Sequence, residues 1–428
     1  MKFSLRSIYN NIISGSYNFF AKIFIQLTFP PLMLLFWGKT QFEIWLYIFA
    51  IPGTLFLFNF STSAPARNEM SILYHNKKFN QLSKIYHNSN LISFFFILFA
   101  CVIFFLFILT KLDEIFFQQN LGTILIIFFS SIIKISTSIY YSSLTFKGSL
   151  KTFNIVDALI DIVAFSIIPF LGIYFSQLFY ASLFLFILNI IHILILYELN
   201  KSFHKNFISL RKIIEIKNIK LNTIKSLFIK SIGFNLDSIN NLLKNQVLIF
   251  ILGLIGNLSI VGLISTSKTL FYYFPLRISS IISDAFFIEY TKLSIKDKSF
   301  KKIFSYKLIF IILFIFIIIL FSNLLGIYFY NFWINNSYEL STKLLNYILI
   351  DFIFFILGTY FILPLKSHNK INFISFVEFI INLLTILYIY LNIHLTIIDI
   401  YEIIILSSGI IFISKVFYFF NICKFKKK

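Results

Sequence analysis

Cysteine, histidine and acidic residues are scarce in this sequence. Its 428 residues include two cysteines, six histidines and 17 acidic residues. Cys101 lies within an apolar run and Cys423 within a basic tail, so we expect them at different depths and predict no disulfide. The histidines show no metal-ligand spacing, and no Ser/His/Asp or Cys/His set can be placed together. These absences point away from a metalloenzyme and from a hydrolase with an activated nucleophile.

Polar stretches are short, whereas apolar stretches are long. The hydrophobic content is 59%, the charged content is 13% and the mean hydropathy is +0.88, which is not the composition of a soluble globular domain. The apolar runs are continuous rather than alternating, which favours membrane-spanning helices over a barrel. Lys2 and Arg6 precede a long apolar segment without a small-residue cleavage site, so we expect a retained first helix.

The sequence predicts an all-α polytopic membrane protein with about twelve transmembrane helices in two six-helix bundles. The predicted domains are a first bundle at 1–198, a basic cytoplasmic linker at 199–223, and a second bundle with a basic tail at 224–428. The spans are predicted near 8–36, 42–61, 90–110, 121–141, 153–173, 178–198, 224–252, 258–289, 304–330, 344–364, 371–391 and 398–420.

The loops that connect these spans carry very unequal charge. Of the 37 Lys and Arg residues, 27 fall on the side shared by both termini and the linker, and three fall on the opposite side. Positive loops mark the cytoplasmic side, so we expect both termini and the linker in the cytoplasm. The net charge of +20 is then a topology signal, and nucleic-acid binding is not predicted. The loops are too short for a catalytic domain or an ATPase, so we predict that the protein is not an enzyme.

Basic residues also occur inside the predicted spans. A charge at the centre of a span costs about 2.5–3.5 kcal/mol, so retained cations indicate a water-filled, positively charged cavity. Lys415 lies near enough to the cytoplasmic end of its span to snorkel, and we set it aside. The predicted cavity cations, as candidate substrate-binding residues, are Lys22, Lys134, Lys230, Lys244, Lys268 and Arg277.

Acidic residues inside the spans admit two interpretations. Asp157 and Asp161 are four residues apart and share a helix face. They could form a structural ion pair with Lys134, or they could form a coupling-ion or proton site. Asp351 and Glu378 lie in later spans, where either could be a second coupling site.

The helix after the linker carries a charged stripe. Lys230, Asp237 and Lys244 are spaced seven residues apart, which places them on one face of an α-helix. Asp237 is better suited to an ion pair with these lysines than to carrying a proton alone. Later in the chain, Pro275 could kink the helix between Lys268 and Arg277.

Two further patterns do not predict a site. The segment GLISTSKT at 262–269 resembles a phosphate-binding loop, with Ser267 in place of the second glycine. Such a loop needs a strand, a glycine-rich turn and a helix start, whereas this segment lies in an apolar span. A lone histidine such as His192, within a span, is more often packed or interfacial than a ligand.

The spans, the basic central linker and two local stretches together resemble a known family. The stretches are NIISGSYNFFAKIFIQLTFPPLMLLFWG at 11–38, a first span followed by a glycine turn, and VGLISTSKTL at 261–270, where a glycine and small residues precede a base. The chain is similar to the Wzx-type polysaccharide flippases. These belong to the superfamily that also holds the multidrug MATE exporters and the lipid II flippase.

The resemblance implies a V-shaped, MATE-like transporter with a central cationic cavity. It implies a flippase that moves undecaprenyl-diphosphate-linked oligosaccharides from the inner to the outer leaflet for O-antigen or capsule synthesis, by alternating access. Other polysaccharide-assembly membrane proteins could be partners, and H⁺ or Na⁺ could drive transport; no cofactor is implied.

Two other functions remain open. A multidrug or cation exporter of the same fold is disfavoured, because cationic substrates call for an acidic cavity. A membrane glycosyltransferase or O-antigen polymerase would need a large extracytoplasmic loop bearing carboxylates or arginines, and no predicted loop meets this need.

Overall fold

The computed structural model describes residues 5–55, 77–145, 150–204, 221–255, 257–280, 298–367, 370–392 and 394–424, together with residues 66, 70, 73, 283 and 290. Over these residues the regular structure is helical, with no strand. The prediction of an all-α protein is therefore confirmed. The central part of the predicted linker, 205–220, and the end of the basic tail, 425–428, lie outside the described residues.

The helices follow one another along the whole described chain. In the first half they are α1 (Leu5–Leu55), α2 (Phe79–Lys111), α3 (Ile115–Thr145), α4 (Leu150–Leu171), α5 (Leu178–His204) and α6 (Leu221–Leu242). A π-helical segment, Leu243–Val247, leads into α7 (Leu248–Leu254); α8 (Leu258–Lys268) leads into a second π-helical segment, Thr269–Tyr273. The remaining helices are α9 (Lys298–Trp333), α10 (Thr342–Ser367), α11 (Asn372–Leu391) and α12 (Ile397–Lys424).

Nine stretches of the described helices are long and apolar enough to cross a membrane. They overlap the predicted spans one to six and nine to twelve, and Phe19–Thr54 overlaps both of the first two. The predicted seventh and eighth spans coincide with α6 to α7 and with α8 and the turns after it, which are helical but more polar. The chain is a multi-pass membrane protein.

Serine and threonine residues fit these apolar helices because their hydroxyls bond back to the helix itself. A buried polar group without a partner is costly in lipid, where no water can replace the bond. Hydroxyls donate to the carbonyl one turn earlier in Ser131 to Ile127, Ser136 to Ile132, Thr359 to Phe355 and Thr385 to Ile381. The polar residues inside these spans are thus compatible with helices that face lipid.

Gly38 interrupts α1 and separates the first two predicted spans. Its φ of 77° and ψ of 170° lie outside the helical region, in a conformation that side chains rarely tolerate. A Cβ atom at Gly38 would meet no other atom within 4 Å. The glycine is therefore required by the backbone angle and not by crowding.

The described chain forms two compact units. One unit comprises residues 47–247, and the other comprises residues 1–46 and 248–428. In the first unit, α3 packs along α5, and α4 packs against both. In the second unit, α10 packs along α12, with α9, α11 and the Thr269–Tyr273 segment beside this pair. These units follow contacts, whereas the predicted domains 1–198 and 224–428 follow chain order, and the predicted division stays a prediction.

A proline-induced defect in α1 is repaired by the end of α9. In an α-helix the Leu27 carbonyl would accept from the amide of residue 31, but Pro31 has no N–H. The Trp333 indole Nε1–H donates to the Leu27 oxygen instead, at 2.7 Å. The two residues are 306 positions apart, so this bond joins the first helix to the second half of the chain within one compact unit.

We expect Trp333→Phe to lower the unfolding midpoint in detergent, because it leaves the Leu27 carbonyl without its donor. An unmade bond to a buried carbonyl costs about 1–3 kcal/mol. In a Pro31→Ala background the restored backbone N–H can bond to Leu27, so the same Trp333→Phe change should cost less. An equal loss in both backgrounds would contradict this role of the indole.

The turn after α9 places one tyrosine directly against α8. Asn335 and Asn336 adopt left-handed φ values of 51° and 56°, which asparagine tolerates better than most residues. The turn brings Tyr338 to a buried position where its ring covers Gly262. Burial raises the pKa of the Tyr338 hydroxyl, and the nearby charge of Glu43 raises it further. The hydroxyl is therefore neutral. Gly262 has no Cβ, and this leaves room for the Tyr338 hydroxyl and ring.

Candidate functional site

A cluster of charged residues joins three helices of the 47–247 unit. The Lys134 ammonium on α3 lies 3.1 Å from Oδ1 of Asp157 and 2.5 Å from Oδ1 of Asp161, both on α4. His192 on α5 is fully buried, and its Nε2 lies 3.9 Å from Oδ1 of Asp157. The one-turn spacing of the two aspartates directs both carboxylates at one lysine. We call Lys134, Asp157, Asp161 and His192 the α3–α5 cluster.

The α3–α5 cluster is set in a polar helix contact. Ser130, one turn before Lys134, accepts a hydrogen bond of 2.7 Å from the Asn189 amide of α5. Thr137 is buried, and its hydroxyl donates to the Lys134 carbonyl at 2.6 Å. The structure thus shows the pairing of Lys134 with both aspartates, one of the two arrangements that the sequence left open. Whether the carboxylates also serve in coupling stays a prediction.

A second ion pair is buried in the other unit. Lys415 on α12 lies 2.8 Å from Oε2 of Glu378 on α11, and the two side chains are 8% and 7% exposed. The Lys415 chain crosses α10 at Gly358, where an added Cβ would lie 3.1 Å from its Cδ. Lys415 therefore does not snorkel to the cytoplasmic end, and the prediction that set it aside is wrong. Because Gly358 has no side chain, Lys415 can pass α10 closely enough to reach Glu378.

Asp351 is buried at the centre of the same helix group. Its Oδ1 accepts a hydrogen bond of 2.5 Å from Ser408 on α12, and its relative exposure is 1%. The next residue, Phe352, meets the Tyr272 ring edge to face at 6.0 Å. Asp351 and Glu378, which the sequence named as candidate second coupling sites, thus lie on neighbouring helices, each facing α12.

Lys268 is the most buried of the five predicted cavity cations whose side chains are described. It is 3% exposed, and its ammonium lies 5.6 Å from the centroid of the Tyr272 ring. It ends α8, directly before the Thr269–Tyr273 π-helical segment. Such segments are rare and frequently occur at functional sites.

The segment that resembles a phosphate-binding loop is helical. Hydroxyls of Thr266, Ser267 and Thr269 donate to carbonyls one turn earlier, at 2.8, 2.6 and 2.7 Å. The backbone amides that a phosphate loop would present are therefore committed to the helix. The interpretation of this match as accidental is confirmed.

Arg277 and Lys22 are less enclosed than Lys268. Arg277 lies in the helical turns after the Thr269–Tyr273 segment, close to the buried Pro275, and is exposed. It makes no ion pair or hydrogen bond with the rest of the described chain through its guanidinium. Lys22 on α1 is partly buried.

The predicted stripe on α6 runs into a change of helix type. Asp237 and Lys244 are partly buried, and the side chain of Lys230 lies outside the described residues. Lys244 falls in the Leu243–Val247 π-helical segment, where each residue turns the helix by less than in an α-helix. The alignment of Lys230, Asp237 and Lys244 on one helix face, and their role in a cavity, stay predictions.

One buried cation was missed by the sequence analysis. Lys307 is one of the 27 basic residues that the sequence analysis counted on the cytoplasmic side. In the structure it lies inside α9 and is fully buried. Its ammonium is 5.9 Å from the Tyr290 ring and 5.8 Å from the Tyr360 ring. Its burial could have been inferred from its position, because the apolar run of this span begins immediately around residue 307.

Of the comparisons with known proteins, the comparison with solved structures is the one that finds similar proteins. No family model matches the sequence, and no curated protein matches it. The fold is similar to a MOP superfamily transporter from Pyrococcus furiosus, with a TM-score of 0.58, 12% identity, and coverage of 97% of this chain and 96% of that chain.

Two MATE transporter structures are also similar. An outward-facing multidrug resistance MATE family transporter of the MOP superfamily gives a TM-score of 0.57 at 11% identity, covering 96% of this chain and 95% of that chain. A Vibrio cholerae MATE transporter in a bent form gives 0.53 at 12% identity and covers 98% of each chain. The predicted MATE-like fold is confirmed over the full length of these structures.

Proposed function

We propose that this protein is a flippase for lipid-linked oligosaccharides, in which basic residues bind the diphosphate of the lipid carrier. The observation that carries the proposal is Arg277, an exposed guanidinium inside a predicted span without a carboxylate partner among the described residues. A charge in that position is costly against lipid and is retained where water or an anion meets it.

The chemistry of the substrate fits such a residue. A diphosphate that bears polar sugars must cross about 30 Å of hydrocarbon. Arginine binds phosphate oxygens through two parallel hydrogen bonds and stays charged at any depth, whereas lysine acts as a point charge. Lys268 is buried directly before the Thr269–Tyr273 π-helical segment, and Arg277 follows that segment. Lys268 therefore adds positive charge on the same stretch of chain as Arg277. Lys22, Lys230 and Lys244 stay predicted cavity cations, whereas Lys134 is bound by Asp157 and Asp161.

The proposed transport cycle is alternating access. In this proposal the two six-helix bundles, 1–198 and 224–428, expose the cavity to one leaflet and then the other. The protein acts in the bacterial inner membrane with both termini in the cytoplasm, beside other polysaccharide-assembly proteins. Transport is driven by the membrane potential or by an H⁺ or Na⁺ gradient, and no step makes or breaks a covalent bond, so the protein is not an enzyme.

A multidrug exporter is the second candidate, because two of the similar structures are described as MATE transporters. The fold is equally consistent with it. Three carboxylates in the described spans, however, are paired with bases: Asp157 and Asp161 with Lys134, and Glu378 with Lys415. A cationic drug would have to displace these partners. The Pyrococcus furiosus protein is described by a reversed polarity of its binding pocket and a different function, so this fold is not confined to one substrate class.

The proposal predicts a specific defect for Arg277→Ala in a strain that lacks the native gene. Loss of the charged hydrogen bonds, worth about 1.5–3 kcal/mol, should reduce transport about 10- to 100-fold. Lipid-linked repeat units should then accumulate on the inner leaflet. Arg277→Lys keeps the charge but not the two parallel bonds, so it should restore transport partially.

The matched control is Lys343→Ala, which removes an exposed lysine paired with Glu402 at 3.2 Å. It should leave the lipid-linked pool at the native level. If Arg277→Ala also leaves that pool unchanged at equal protein abundance, the binding role of Arg277 is wrong.

A further inference from the structure

In the α3–α5 cluster, the Lys134 ammonium lies where an exchangeable cation would bind. Two carboxylates one helical turn apart, facing the same space within a span, form the kind of anionic site that attracts a monovalent cation. The Lys134 ammonium already lies 3.1 and 2.5 Å from one oxygen of each. A metal ion bound by the same oxygens would have to lie about 2.3–2.6 Å from them, in the space that the ammonium occupies.

The described structure also places a histidine beside the two carboxylates. The buried His192 ring faces Asp157 from α5, and its nitrogens accept or donate no hydrogen bond in the described structure. A cation between Asp157 and His192 would lie beside the Lys134 ammonium and be repelled by it. Across the described residues, no group of three or more His, Cys, Asp or Glu side chains is arranged to hold a metal ion.

We propose that Lys134 is a tethered cation that takes the place of a metal coupling ion, so that the α3–α5 cluster binds no exchangeable Na⁺ in the native protein. Lys134 is then the residue that determines ion specificity in this half of the chain. This inference rests on the proposed transport function, because it concerns how transport is driven. The α3–α5 cluster then contributes no Na⁺ to the transport cycle, and Na⁺ dependence, where present, originates elsewhere.

The cluster should become a Na⁺ site when the tethered cation is removed. Lys134→Ala leaves the two carboxylates uncompensated, and Lys134→Gln does so while keeping a hydrogen-bonding side chain of similar length. Removal of a like charge at hydrogen-bonding distance should raise Na⁺ affinity about tenfold or more. In either variant, replacing Asp161 with asparagine should abolish the gain.

The experiment measures binding of radiolabelled Na⁺ to the purified full-length chain in detergent, with choline as the competing salt. We expect no Na⁺ binding at this cluster in the native protein, and saturable binding in Lys134→Ala and Lys134→Gln. Lys111→Ala is the matched control, because Lys111 pairs with the exposed Glu114 and its loss should create no site.

Two results would overturn the proposal. One is native Na⁺ binding that disappears in Asp157→Asn and Asp161→Asn, a comparison that does not depend on the folding of any Lys134 variant. The other is a folded Lys134 variant that binds no more Na⁺ than the native chain. Neither result involves an oligosaccharide, so the flippase proposal can fail or hold independently.

Discussion

Lys415→Met is expected to lower the free energy of unfolding by about 3–5 kcal/mol, because it leaves the Glu378 carboxylate buried without its partner. The two side chains are 8% and 7% exposed, so water can compensate neither charge. Methionine has nearly the volume of lysine, which separates the loss of charge from the loss of packing over Gly358. The measurement is the thermal unfolding midpoint of the purified protein in detergent, together with its abundance in the membrane.

The double variant Glu378→Gln with Lys415→Met is the decisive companion. Replacing both members of a buried ion pair is often neutral, since the cost of burying the charges is removed together with their attraction. We therefore expect the double variant to recover most of the stability that the single variant loses. The exposed pair of Lys343 and Glu402 is the control, and its disruption should leave the unfolding midpoint nearly unchanged, because solvent screens both charges. Additive losses in the double variant would show that the pair is not coupled as the structure indicates.

Gly262→Ala should also destabilise the protein, through a collision between α8 and the turn that follows α9. An added Cβ would lie 2.2 Å from the Tyr338 hydroxyl oxygen and 2.4 and 2.7 Å from two ring carbons. A rigid ring cannot move these three atoms away separately, so the whole side chain has to leave its buried position. Overpacking of this kind costs about 1–3 kcal/mol.

Gly326→Ala is the matched control for this collision. Its added Cβ would lie 3.3 Å from a terminal methyl carbon of Leu345 and 3.3 and 3.5 Å from two ring carbons of Phe271, so these neighbours need to move by only a few tenths of an ångström. In a Tyr338→Leu background the alanine at 262 should cost much less, because the smaller side chain leaves room for it. If Gly262→Ala unfolds at the same temperature as Gly326→Ala, the ring does not occupy the described position.

The spans could be predicted because lipid imposes a local rule on the sequence. A helix that crosses the membrane needs about 20 apolar residues in succession, and this requirement is met within each segment separately. The predicted seventh and eighth spans do not meet it as clearly, because Lys, Asn and Asp occupy α6 and serines and Lys268 occupy α8. Their helices depend on packing and on the π-helical segments, which no local pattern in the sequence indicated.

The ion pairs could be predicted only where the spacing limited the choices. Asp157 and Asp161 stand one turn apart in one predicted span, and Lys134 is the basic residue in the preceding one. Glu378 and Lys415 are 37 positions apart, and their contact depends on Gly358 of a third helix. For Lys307, a position at the edge of an apolar run suited either a loop or a buried site between two tyrosine rings. Such contacts depend on tertiary packing, so distance along the chain does not reveal them.

Transport by the purified protein in proteoliposomes tests the central proposal most directly. The measured quantity is the fraction of undecaprenyl-diphosphate-linked oligosaccharide that moves between leaflets, compared with uptake of a cationic dye by the same vesicles. The flippase proposal predicts rapid movement of the oligosaccharide lipid, a strong reduction by Arg277→Ala, and no dye uptake. Dye uptake without movement of the lipid would contradict the proposal and identify a multidrug exporter.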